Sequence, residues 1–275
     1  MSTQIQMAER FLALHRQQQP LLLPNPWDLG SAKLLAWLGF SALATTSGGF
    51  AATVGRLDGK VRRDEALAHA AAIVEATDLP VSADLENGFA DHPAGVAETV
   101  HLAAGAGLAG CSVEDFTGSP GDPIYEPSLA AERVTAAAEV AASGPIRLVL
   151  TARAENYLHG RPDLADTIAR LQAYQEAGAD VLYAPGLTDL ADIRQVVTSV
   201  DRPVNVLALP GGPTISELAE AGVRRVSVGS AFAFAALGAL VEAATELREQ
   251  GTYGWGGLAA IGRAAARDTF EGHRQ

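Results

Sequence analysis

With 275 residues, 48% of them hydrophobic and only 6% aromatic, the chain has the size of one large α/β domain and a composition that favours closely packed helices over a β-sandwich. A formal net charge of −12 makes nucleic acid and anionic membranes poor partners. A single cysteine, Cys111, excludes a disulfide framework and a cysteine-based zinc site. The first twenty residues, MSTQIQMAERFLALHRQQQP, lack the basic and then apolar pattern of a secretory leader. No apolar run approaches the ~18 residues of a membrane span, so a cytoplasmic protein is expected.

Short apolar runs alternate with helical patterns along the chain. Strands are predicted at 21–24, 41–45, 80–84, 110–114, 146–152, 180–184, 203–207 and 225–228. Helices are predicted near 30–38, 64–77, 94–106, 128–142, 163–177, 189–199, 214–221 and 231–249. Several helices close on the same idiom, as in EAGADVLYA and EAGVRRVSV, where a glycine can end the last turn before the next strand. Eight strand–helix pairs predict a closed (β/α)8 barrel, a TIM barrel, in a single domain over 1–275. The barrel would occupy about 20–249 and be followed by an extension, 250–275. That extension includes GLAAIGRAAARDTF, an extra C-terminal helix with no place in the barrel ring, which suggests packing on a partner subunit. A dinucleotide fold is rejected, because PNPWDLGSA offers no GxGxxG after the first strand.

Chemistry in such a barrel sits at the C-terminal ends of the strands. Reading those ends in order gives Ser47-Gly48-Gly49, Asp58 in the next loop, Asp84 and Glu86, Glu114, Arg153 and Asn205. Strand alternation puts Asp84 and Glu86 on one face of their segment, and Glu114 on the matching face of the next. Three converging acids repel unless a cation sits between them, and oxygen donors without His or Cys suit Mg²⁺ better than Zn²⁺. The blander alternative is that each acid is solvated at a loop. Ser47, Gly48 and Gly49 could grip a carboxylate or phosphate with a hydroxyl and backbone N–H groups, though such turns are common. Arg153, in phase with Val149 and Thr151, could bind a carboxylate bidentately or form a structural salt bridge to the barrel acids. Cys111 lies in the opposite phase and is expected in the core.

The loop 115–128, DFTGSPGDPIYEPS, is rich in Gly and Pro and follows Glu114 directly, as a lid over the active site would. Tyr125 within it and His159, six residues beyond Arg153, are candidates for proton delivery.

Together, Ser47-Gly48-Gly49, Asp58, Asp84-Leu85-Glu86-Asn87-Gly88-Phe89, Ser112-Val113-Glu114-Asp115 and Thr151-Ala152-Arg153 resemble the isocitrate lyase/phosphoenolpyruvate mutase superfamily. The resemblance runs from about residue 20 to 250. It implies a barrel, Mg²⁺ (or Mn²⁺ in its place), and a small 2-oxo or 2-hydroxy carboxylate substrate cleaved through an enolate. It implies Asp58, Asp84, Glu86 and Glu114 as metal ligands, direct or through water, and Ser47, Gly48, Gly49 and Arg153 as substrate-binding residues; Asn205, read from its strand end, is a further substrate-binding candidate. It also implies a homotetramer, a dimer of dimers that exchange their last barrel helix. The loop departs from the family: Thr117 to Asp122 has no counterpart of the lyases' K-K/R-C-G-H, nor the Lys and Asn of phosphonate-handling members. The resulting expectation is a Mg²⁺-dependent carbon–carbon lyase or decarboxylase, with phosphonopyruvate mutase or hydrolase chemistry and a non-catalytic 2-oxo acid binding barrel as alternatives.

Overall fold

The computed structural model describes residues 3–271. It begins with α1 (Gln4–Leu14), β1 (Leu21–Leu23), α2 (Leu29–Trp37), β2 (Leu43–Ala44), α3 (Ser47–Thr53) and α4 (Arg63–Ala76). There follow β3 (Val81–Asp84), α5 (Pro93–Gly105), β4 (Gly110–Glu114), α6 (Pro127–Ser143), β5 (Val149–Arg153) and α7 (Leu164–Glu176). The chain continues through β6 (Val181–Tyr183), α8 (Leu190–Thr198), β7 (Val204–Leu207), α9 (Ile215–Glu220), β8 (Arg225–Ser227), α10 (Ala231–Gln250) and α11 (Gly256–Phe270). The eight strands are parallel, in the order β1-β8-β7-β6-β5-β4-β3-β2. The Ala44 N–H donates to the Pro24 carbonyl at 3.1 Å, bringing the two edges of the sheet together. This is a nearly closed (β/α)8 barrel with an additional C-terminal helix.

Local chemistry explains the punctuation. Asp163, Asp189 and Thr214 cap α7, α8 and α9 by accepting backbone N–H bonds in the first turn. Gly178 and Gly222, at φ +105° and +88°, turn the chain out of α7 and α9 toward the next strand. The outer core lies between strands and helices; Cys111 is buried there, and burial holds its thiol up at about 12.

Two helices were not foreseen. A capping box at Thr3 and Gln6 opens α1, whose Ala8, Phe11 and Leu14 pack with Leu21, Leu23, Ala109, Val149 and Val181. This helix closes the N-terminal end of the barrel. Gly110 makes room for it, since a Cβ there would lie 2.9 Å from the Phe11 ring and 2.6 Å from the Val149 carbonyl. The second is α3: Ser47, Gly48 and Gly49 form its first turn, capped by Thr46, rather than a free-standing turn. The eighth helix also departs from the expected ring. Only Ala233 of α10 is buried and its packing partner is α3, while α11 has no buried residue and packs on α2. Residues 1–2 and 272–275, which include the end of the predicted extension, lie outside the described residues.

Candidate active site

Parallel register assembles the site. Glu114 on β4 is level with Arg153 on β5, which is level with Tyr183 on β6, and Asp84 ends the neighbouring β3. The Arg153 guanidinium lies in the middle of the acids. Its Nη1 is 3.0 Å from Asp84, its Nη2 is 3.1 Å from Glu114 and its Nε is 2.8 Å from Glu155. Each nitrogen therefore faces a different carboxylate. Burial alone would lower the pKa of Arg153, but Glu155, Glu114 and Asp84 override it and push it well above the usual arginine value. Burial raises both Glu114 and Glu155, and the nearby guanidinium opposes that rise in each. Glu155 is fixed from behind: its N–H donates to Asp115 at 2.8 Å, and Asp115 accepts from the Tyr174 hydroxyl at 2.6 Å and pairs with Arg170 at 3.2 Å.

Beside this cluster stand two acids that Arg153 does not hold. Glu86 adopts φ +49°, uncommon for a residue with a side chain, on the turn leaving β3. Burial, and then the charges of Asp84 and Asp58, push its carboxyl up to about 7. Gly88, two residues on, sits at φ +75°, and a Cβ there would come within 2.9 Å of Val96. Asp58 borders the first turn of α3, where a Cβ at Gly48 would lie 3.0 Å from the Asp58 carboxylate and 2.7 Å from the Ser230 hydroxyl. Glycine at 48 keeps that corner open.

Of these groups, Asp58, Asp84 and Arg153 line a cavity of about 200 Å³ at the C-terminal ends of the strands, joined at its mouth by Ser47 and Ser230. Ser82, Ser112, Arg225 and Ser227 line it deeper in the barrel. The volume suits a small, polar molecule rather than a large cofactor. Asn25 braces the mouth: its side chain donates to the Thr45 carbonyl at 3.0 Å and accepts from the Val228 and Gly229 N–H groups at 3.0 and 2.9 Å.

Residues 11–248 match the family model described as phosphoenolpyruvate phosphomutase. The chain belongs to that family. A solved structure from Burkholderia cenocepacia J2315, provisionally named a lyase/mutase, superposes with a TM-score of 0.93 at 54% identity and covers 96% of each chain. An uncharacterised Mycobacterium tuberculosis protein is 36% identical over 80% of this chain and 81% of its own length. The 2-methylisocitrate lyase of Escherichia coli K12 is 31% identical over 70% of this chain and 67% of its own.

Within this phosphomutase-family barrel, the structure brings Asp58, Asp84, Glu86, Glu114, Arg153 and Ser47–Gly49 to one end. The cation it places among Asp84 and Glu114 is the arginine. Among the described residues, no three Asp, Glu, His or Cys side chains form a ready-made metal cluster. The Ser47 N–H donates to Asp84 at 3.2 Å. Asn205 is buried, giving its amide N–H to Ser227 at 2.9 Å and accepting from Arg225 at 2.9 Å. His159 stacks on Phe116 with ring centroids 3.7 Å apart, and burial followed by the Arg153 charge lowers its pKa. Its neighbour Leu158, not His159, lines the cavity. Tyr125 donates its hydroxyl to Asp91 and accepts from Asn87 at 3.3 Å, away from the cavity lining. Glu155, Asn25 and Arg225 escaped the sequence reading. Glu155 stands two residues beyond Arg153 and was within reach of the same alternation, whereas Arg225 opens a three-residue strand whose phase is too short to read.

Proposed function

We propose that this protein is a Mg²⁺-dependent lyase or decarboxylase that cleaves a carbon–carbon bond in a small 2-oxo or 2-hydroxy carboxylic acid. The observation that supports it most is the Arg153-centred acid cluster at the mouth of a small polar cavity, in a chain related to 2-methylisocitrate lyase. The donor chemistry fits magnesium. Asp58, Asp84 and Glu86 offer only carboxylate oxygens, and their mutual repulsion is what a hard cation relieves. These three, with Glu114, would hold the ion, which would polarise the substrate oxygen when bound. Arg153 orients the substrate, and its charge opposes the rise that burial imposes on Glu114 and Glu155. Without the ion, burial and the charges of Asp84 and Asp58 push the Glu86 carboxyl up to about 7, and a bound cation would favour its ionised form.

Cleavage of a phosphorus–carbon bond is the second reading, supported by the family model itself. Against it stands the loop after Glu114, whose only charged side chain between 117 and 122 is Asp122, paired with Arg161 at 3.5 Å. That stretch offers no cationic or amide side chain to take the charge of a phosphonate. The third reading is a barrel that binds a 2-oxo acid without turning it over. Incubation with oxaloacetate, citramalate-type acids and phosphonopyruvate, with Mg²⁺ or with chelator, separates the three when pyruvate and phosphoenolpyruvate are both measured. Pyruvate from a carbon acid, abolished by chelator, is the expected result. Pyruvate or phosphoenolpyruvate from phosphonopyruvate alone selects the second reading, and no product from any acid selects the third.

A further inference from the structure

Two guanidinium groups line the cavity, and they differ in one respect. Arg153 faces three carboxylates, whereas Arg225 faces none among the described residues. The partners of Arg225 are neutral: its Nε donates to Asn205 Oδ1 at 2.9 Å and its Nη1 to Thr151 Oγ1 at 3.0 Å. The same Nη1 lies 3.3 Å from His15 Nε2. His15 is neutral, since burial, and then Arg225 itself, lower its pKa to about 3, and it supplies no negative charge. Tyr183 nearby is held up at about 12 by burial and stays neutral. Only 4% of Arg225 is exposed, yet it lines the cavity. Burial lowers its pKa to about 9, so it remains a cation at neutral pH. A buried cation with no counter-charge is costly to a fold unless something supplies the charge.

The two arginines sit at different depths. Thr151, which touches Arg225, lies two residues before Arg153 on β5, roughly 7 Å deeper along the strand. The cavity is thus acidic at its mouth and cationic toward its floor, with the hydroxyls of Ser82, Ser112 and Ser227 between. An anion entering it finds unneutralised positive charge only at the lower level.

We propose that Arg225, with Thr151 beside it, forms an anion subsite toward the cavity floor that takes the far carboxylate of a dicarboxylic acid. The assignment rests on reading the mouth as the place of the 2-oxo or 2-hydroxy carboxylate, and it makes Arg225 the residue that selects a second carboxylate over a methyl group. Nothing on the loop that departs from the family is needed for that selection.

Calorimetry with Mg²⁺ on the full chain tests it with two matched pairs: malate against 2-hydroxybutyrate, and 2-hydroxyglutarate against 2-hydroxyvalerate. The wild type is expected to bind the dicarboxylate of at least one pair about tenfold tighter or better, the scale of a charge-assisted hydrogen bond. Arg225→Gln should abolish that preference while the monocarboxylates bind as before, and Arg225→Lys should keep part of it. Equal affinities within both pairs for the wild type overturn the subsite whether or not the variants fold, and leave the functional reading standing. A preference that survives in Arg225→Gln also overturns it. If the wild type binds none of the four acids, the functional reading falls and the subsite with it.

Discussion

Arg153 and Glu86 illustrate how two charges only a few residues apart in space carry opposite consequences. Arg153 is anchored by three carboxylates, so Arg153→Lys keeps a charge but cannot face three acids with one ammonium. Affinity for 2-oxo acids should fall by about tenfold or more. Unchanged affinity would leave Arg153 a purely structural bridge. Glu86 is the reverse case, an acid whose ionised form the fold disfavours. Its carboxyl titrates near 7 in the folded chain against an ordinary 4.5, so the folded state holds the proton more tightly than the unfolded state does. Stability from this group is full below about 4.5 and is lost as pH rises through 7. Glu86→Gln should therefore stabilise the metal-free protein at pH 8, by about 1–2 kcal/mol once solvent screening is allowed for, and change little at pH 5. Thermal melts at the two pH values decide it, and equal shifts at both would show that Glu86 is not strained by its neighbours. The alternation of strand residues was enough to put Asp84, Glu114 and Arg153 on one face. That the guanidinium itself fills the gap between the acids depends on the register of β3, β4 and β5, which no single strand encodes.

At the level of elements, the loop after β4 is more ordered than its Gly and Pro content suggests. Phe116 bridges Ile124 in antiparallel fashion, the Thr117 N–H donates to the Pro123 carbonyl at 2.8 Å, and the Tyr125 N–H donates to the Asp115 carbonyl at 3.0 Å. Ile124 and Tyr125 are buried, so the freedom to close as a lid is left to the exposed tip around Gly118 and Gly121. Tyr125 acts here as a rivet: its hydroxyl engages Asp91 and the Arg133 guanidinium lies 4.1 Å over its ring. Tyr125→Phe should cost about 1–2 kcal/mol of stability through the unpartnered Asp91 and leave turnover within a factor of ~3. A collapse of turnover with binding retained would instead make Tyr125 the proton donor. The eight strands and the helices between them were legible because their apolar runs and terminal glycines repeat. Helix α3 was not, since Ser-Gly-Gly has poor helix propensity and is held helical by the Thr46 cap and by packing against α10. Helix α1 was overlooked because its apolar positions Phe11 and Leu14 make sense only once there is a barrel end to close.

The whole molecule leaves its last two helices conspicuously uncovered. Phe234, Leu240 and Val241 of α10 are 54%, 63% and 64% exposed, and Leu258 and Ile261 of α11 are 60% and 69% exposed. An apolar strip of that extent over two successive helices is more than isolated surface residues explain. No helix among the described residues is long and apolar enough to cross a membrane, so a bilayer-spanning segment does not account for it. The eighth helix of a closed barrel ordinarily packs on its own strands, but α10 makes its contacts with α3 and buries a single alanine. A second copy of the chain, offering its own strands to α10 and taking the other helix in return, would cover both surfaces and complete both barrels. Two such dimers would make the tetramer expected from the resemblance. Net repulsion from a charge of −12 works against casual association, so an assembly that forms must be driven by this apolar area. Light scattering of the full chain should therefore report a dimer or tetramer, and a chain ending near residue 250 should dissociate or precipitate. Leu240→Glu together with Val241→Glu should weaken the assembly while leaving the fold of the barrel measurable by circular dichroism. A monodisperse full-length monomer would mean that α10 rests on its own barrel in solution, and that the exchange does not occur.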